Sequence, residues 1–201
     1  KENQKKMPAK RELELNYFEG LTYEICTPKE KAALAGSGGI AGKIRRKLLP
    51  FTVHHFYEKE MYHPELLGFE NCYLSGYFAC EKYYGDILDV LRREIRFPES
   101  PNSQNKQMAQ EMMECESVSV HIRRGDYLNV ENKAMFGNIC TDAYYEKALD
   151  MVREKAPKAR FYLFSDDISY VKDKYQGEEF TVVDINHGKD SFYDMWLMSC
   201  C

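Results

Sequence analysis

Apolar and polar positions change their rhythm about halfway along the chain. Before residue 110 the pattern is broken: residues 12–17 alternate as a strand does, and residues 71–78 read as a second strand. Thr27, Pro28 and Glu30 stand at the spacing of a helix N-cap, first position and capping-box acid, so a helix is expected from 28 to about 35. Ile87, Leu88, Leu91 and Ile95 recur at helical spacing behind Asp86, an expected cap, and the pattern stops before Pro98. Residues 99–107 are rich in Pro, Ser, Asn and Gln and read as a boundary segment.

Beyond that segment the pattern is regular. A β-branched run over 118–122 predicts a strand, followed by a loop to about Cys140. Thr141 is placed to cap a helix carrying Tyr144, Tyr145, Ala148, Leu149 and Val152. Strands are then expected at 160–164 and 180–185, with helices at 168–175 and 190–201. Alternation of strand and helix at this spacing implies a parallel sheet, half of a doubly wound α/β fold.

In open α/β sheets ligands bind beyond the carboxyl ends of the strands. The first of these strands runs directly into His121, Ile122, Arg123, Arg124, Gly125, Asp126 and Tyr127. Two guanidinium groups there form a permanently charged fork for a phosphate or diphosphate, each charge-assisted bond contributing about 1.5–3 kcal/mol. The plain alternative is a surface pair bonded to carboxylates. Gly125 lets the backbone turn, and Asp126 would serve as a base or orient an arginine. His121 ends the strand on the side opposite Val118 and Val120, as a satisfied polar residue or as a partner for a ligand base. Asp166 and Asp167, behind Ser165, end the next strand, where carboxylates either accept from ribose hydroxyls or a guanine edge or cap the following helix.

Composition narrows the chemistry. A net charge of −4 argues against nucleic-acid binding, so an anion site must be local. The seven cysteines lack metal-ligand spacing and fit a reducing compartment, and the adjacent Cys200 and Cys201 read as helix residues rather than a reactive pair. No run of eighteen apolar residues is present, and residues 1–7 lack the apolar core of a signal peptide. The expected location is cytoplasmic, at most peripheral to a membrane. The glycine run from Gly36 to Gly42 follows a helix rather than a strand, which fits a connector and not a dinucleotide or Walker loop. An Arg-Gly-Asp adhesion role is disfavoured by the core strand that precedes the tripeptide.

Taken in order, these residues resemble the α-1,2-fucosyltransferases of glycosyltransferase family 11. The heptapeptide 121–127 is similar to that family's signature. Tyr77 and Phe78 with Glu81, Lys82, Tyr83 and Tyr84, then Cys140 with Tyr144 and Tyr145, Phe164 to Asp167, and Asp194 to Cys200 recur in family order over residues 11–201. The resemblance implies a GT-B architecture and an inverting, metal-independent transfer of L-fucose from GDP-fucose to the 2-hydroxyl of a galactose-containing acceptor glycan. It implies Arg123 and Arg124 on the donor diphosphate, and His121 with Asp166 or Asp167 on guanine. Asp126 is the nominee for the base. No cofactor beyond the donor substrate is expected.

The family's opening Gly-Gly-Leu-Gly-Asn-Gln loop and its later Ser-x-Phe-Ser-Trp-Trp motif have no counterpart here, so the chain is expected to be an internal fragment with little or no activity alone. Residues 1–110 are read as the remnant of a mostly helical, acceptor-side domain, and 111–201 as a partial Rossmann-like, GDP-fucose-binding domain. The rival readings are a non-catalytic nucleotide-sugar or diphosphate-binding module and a transferase with another nucleotide sugar.

Overall fold

The computed structural model describes residues 13–35, 40, 44, 48, 51–52, 55–100, 102–125 and 139–201. Asp126, Tyr127 and most of the glycine-rich stretch lie outside the described residues. The chain divides into two compact units, Lys1–Phe97 and Pro98–Cys201.

In the first unit, helix α1 (Pro28–Ala35) starts as the sequence requires. Thr27 Oγ1 accepts from the Glu30 amide at 3.3 Å, and Glu30 Oε2 accepts from the Thr27 amide at 2.7 Å, a reciprocal capping box that holds the Glu30 carboxyl below its ordinary range. Three short strands follow. β1 (Phe51–Thr52) pairs antiparallel with β2 (His55–Tyr57), which pairs parallel with β3 (Tyr73–Ser75). Phe56 is buried at their centre, against the rings of His63, Phe69 and Phe78.

This sheet adds three short strands to a first half whose other described regular elements are helical. Residues 71–78 do contain a strand, but the alternating stretch 12–17 does not: Glu14–Tyr17 is a 3-10 turn. Alternation makes a strand only where a neighbouring strand takes its backbone bonds, and here the backbone turns back on itself, the Phe18 amide donating to the Leu15 carbonyl at 3.3 Å. Helix α2 (Leu88–Glu94) is preceded by a 3-10 turn, Gly85–Ile87, that contains Asp86, so the cap position falls on Ile87 and not on the aspartate.

The second unit matches the periodic reading closely. It comprises helix α3 (Ser103–Met113), strand β4 (Ser117–Ile122), helix α4 (Asp142–Lys155), strand β5 (Arg160–Ser165), helix α5 (Ile168–Lys174), strand β6 (Phe180–Val182) and helix α6 (Phe192–Met198). The strands form one parallel sheet in the order β4-β5-β6.

Each side of β5 has its own cover. Phe161 and Leu163 pack with Ile122, Leu149 of α4 and Val171 of α5; Tyr162 and Phe164 pack with Ala109 and Met112 of α3, Val183, and Leu197 of α6. Burial on both faces explains the unbroken apolar run from Phe161 to Phe164, all four at most 3% exposed. α3 replaces the expected boundary segment. Its first residues belong to the second unit, and the division falls after Phe97 rather than at residue 110.

Candidate active site

The β4–β5 register sets His121 beside Phe164 and Ile122 beside Ser165, so both strands end at the same level. Ser165 ties the two ends together. Its hydroxyl donates to the Ile122 carbonyl at 2.6 Å and accepts from the Asp167 amide at 3.0 Å. Tyr145 of α4 adds a bond from its hydroxyl to the His121 carbonyl at 3.1 Å. Strand alternation turns Val118 and Val120 into the core under α4 and sends His121 to the opposite face, toward α6.

On that face, at the carboxyl end of the sheet, lies a cavity of about 600 Å³. His121 and Arg123 from the end of β4, Asp166 from the end of β5, and Asn186, His187 and Asp194 supply its polar wall. Its size suits a nucleotide-sized ligand. Burial pushes the Asp194 carboxyl above its ordinary range, opposed by a bond from Asn186 and by the His187 and His121 imidazoles.

The two arginines separate. Arg123 lines the cavity, whereas the Arg124 guanidinium lies against α5. There its Nε donates to Asp167 Oδ2 at 3.3 Å, and its carbon sits 3.5 Å from the centre of the Tyr170 ring. Tyr170 in turn donates to Asp142, and Lys174 pairs with Asp142 at 2.7 Å and Glu146 at 3.5 Å, so the signature loop is anchored to two helices.

The two aspartates also divide. Asp167 caps α5, its Oδ1 accepting from the Tyr170 amide at 3.1 Å. Asp166 accepts the Arg124 amide on Oδ1 at 2.8 Å and the Gly125 amide on Oδ2 at 3.1 Å. Both oxygens of Asp166 therefore hold the backbone of the signature loop. Gly125 leaves room for that approach, because a Cβ there would stand 2.9 Å from Asp166 Oδ2 and force the carboxylate to shift. Gly125→Ala is expected to push the carboxylate off its amides, so hydrogen exchange at the Arg124 amide should quicken; unchanged exchange would show that the loop tolerates the shift.

Asn186, His187 and Asp194 escaped the sequence reading as site residues. Their signal was available in topology, since Asn186 and His187 follow the third parallel strand and so share the sheet's carboxyl end. Among the described residues no group of three or more His, Cys, Asp or Glu side chains converges as a metal site. No helix among them is long and apolar enough to cross a membrane.

Comparison with known proteins adds an independent line. The family model of Glycosyl transferase family 11 matches residues 46–201. The chain is 38% identical over 128 residues to the alpha-1,2-colitosyltransferase of Escherichia coli, covering 62% of this chain and 43% of that protein. It is 27% identical over 213 residues to the Escherichia coli O-antigen biosynthesis glycosyltransferase WbnK, covering 96% and 69%. A shorter stretch of 55 residues is 40% identical to the galactoside 2-alpha-L-fucosyltransferase Sec1 of Mus musculus, covering 27% of this chain and 15% of that protein. The matched part is thus less than half of the colitosyltransferase and a small part of the mouse protein. No solved structure matches the chain. With more than half of its length matched by the family model, the chain belongs to glycosyl transferase family 11.

Proposed function

We propose that this chain carries the donor site of an enzyme that moves L-fucose from GDP-fucose to the 2-hydroxyl of a galactoside, with inversion and without a metal. The observation that carries the reading is the placement of His121 and Arg123 on one cavity at the carboxyl end of a parallel sheet, within a chain of this family. Relatives named for α-1,2 and 2-alpha transfer support attack by a 2-hydroxyl. In this reading the second unit is the donor domain of a GT-B enzyme and the first belongs to the acceptor side.

The chemistry follows from charge. As the bond to fucose breaks, the sugar gains oxocarbenium character and the diphosphate gains negative charge. A guanidinium held against the departing phosphate stabilises that state more than the bound substrate. Arg123 takes this role. Arg124, engaged by Asp167 and Tyr170, holds the loop that presents it. His121 offers an imidazole to the nucleobase. Asp166, with both oxygens on loop amides, acts on the donor through the loop rather than on guanine. Asp126, outside the described residues, keeps the role of candidate base for the acceptor hydroxyl.

A second reading, transfer of a colitosyl group, is favoured by the 38% identity to the colitosyltransferase. Calorimetry on the natural full-length polypeptide with GDP-fucose, GDP-mannose and UDP-galactose separates the cases. Binding of GDP-fucose more tightly than GDP supports the first reading. Affinity residing wholly in GDP supports the nucleotide contacts without choosing between the two sugars. Binding of UDP-galactose with silence toward GDP-fucose overturns both. Fucose transfer that survives a chelator supports a charge-only mechanism, and its loss would show that a metal is needed.

A further inference from the structure

The cavity wall around Asp194 is built from behind by a buried polar chain that the mechanism above does not use. Asn105 of α3 and Asn186, 81 residues apart in sequence, face each other as two amides. Asn105 Nδ2 donates to Asn186 Oδ1 at 2.8 Å, and Asn186 Nδ2 donates to Asn105 Oδ1 at 2.9 Å. Asn105 Nδ2 also donates to Ser100 Oγ at 3.1 Å, while Asn186 Nδ2 also donates to Asp194 Oδ1 at 2.8 Å. Ser100 and Asn105 are fully buried and Asn186 is 7% exposed. Both side-chain amides therefore spend both of their N–H groups inside the protein.

A buried network of this kind is rigid when complete, and an apolar pair of similar shape would fill the same space with no polar groups to satisfy. What it achieves beyond filling is direction: its open end delivers an N–H to one named oxygen of a carboxyl that lines the cavity. Without that bond, burial would leave Asp194 Oδ1 to turn or take a proton.

We propose that Asn186, locked by Asn105 and Ser100, is a positioning residue that fixes the Asp194 carboxyl in the cavity so that it accepts a hydrogen bond from an N–H or O–H group of the donor. This rests on the reading of the cavity as the donor site. A carboxylate repels a diphosphate, so the group it meets belongs to the nucleoside part of the donor, while the phosphates are left to Arg123. The chain from α3 thus separates recognition of the neutral part of the ligand from recognition of its charge.

The test uses the natural full-length polypeptide, with GDP and inorganic pyrophosphate as probes in calorimetry. Asn105→Ala removes the lock without touching the cavity, and Asn186→Ala removes the bond itself. Each is expected to raise the Kd for GDP about tenfold, equivalent to 1.4 kcal/mol, while the Kd for pyrophosphate holds within about twofold. Their effects should not add, because both act through one bond. A purely structural role would weaken both probes in parallel with a loss of folded protein, and that result overturns the proposal. Wild-type GDP affinity in Asn186→Ala overturns it as well. If Asn105→Ala does not fold, Asn105→Ser keeps a polar group there and carries the same comparison. A wild-type enzyme that binds neither probe fells the donor reading itself, a failure distinct from one confined to the variants.

Discussion

Arg123→Lys is expected to lower kcat/KM for donor turnover about a hundredfold, with most of the loss in kcat. Lysine keeps the positive charge but presents it as a hydrated point, not as a planar fork that can grip two phosphate oxygens at once. The difference is felt most when the leaving diphosphate gains charge, and removal of one such transition-state donor costs on the order of 10²–10³ in rate. Arg123 is exposed at the cavity, so the thermal midpoint should move little, in keeping with the roughly ±0.5 kcal/mol typical of surface substitutions. Steady-state kinetics with GDP-fucose on the full-length enzyme checks this. Turnover at the wild-type level would falsify the diphosphate role of Arg123.

Asp166→Ala should be nearly as damaging although its carboxylate is occupied by protein. The substitution leaves the amides of Arg124 and Gly125 without their acceptor and releases the loop that carries Arg123. Charge-assisted bonds to two amides at a solvent-exposed carboxylate amount to about 1–2 kcal/mol after allowance for water, a visible but survivable loss of stability. The functional effect is larger, since a misplacement of about 1 Å in a charged group can reduce rate on the order of 10²-fold. Asp166→Asn keeps one acceptor oxygen and should fall between. The decisive measurement is ligand affinity. A loop clamp requires GDP and pyrophosphate to weaken together, whereas a direct contact with guanine would weaken GDP alone.

Legibility in the sequence followed the range of the forces involved. The second unit reads well because its caps and periods are local. Thr141 and Asp167 each accept from an amide three residues on, and β5 is continuously apolar because helices cover both faces of its sheet. α3 was hidden for a specific reason. Its buried face is Asn105, Ala109 and Met112, so the apolar stripe opens on an asparagine whose partner lies far along the chain. A polar residue there looks like linker until that partner is in view. In the first unit β1 and β2 are only two or three residues long, too short for alternation to mark them, while the longer alternating stretch at 12–17 holds a 3-10 turn.

The sequence by itself determined that strands and helices alternate from residue 118 to 201 as in a parallel α/β sheet, that His121 to Arg124 stand at a strand's carboxyl end, and that the chain resembles family 11. Each of these follows from neighbours within a few positions or from ordered motifs. Only the tertiary structure decided that Arg123 faces the cavity while Arg124 turns to Asp167 and Tyr170, and that Asp166 holds the loop. It alone brought Asn105, Asn186 and Asp194 together. Side chains of the same type at adjacent positions have the same local preferences, so their roles diverge only when partners some 40 to 80 residues away choose between them.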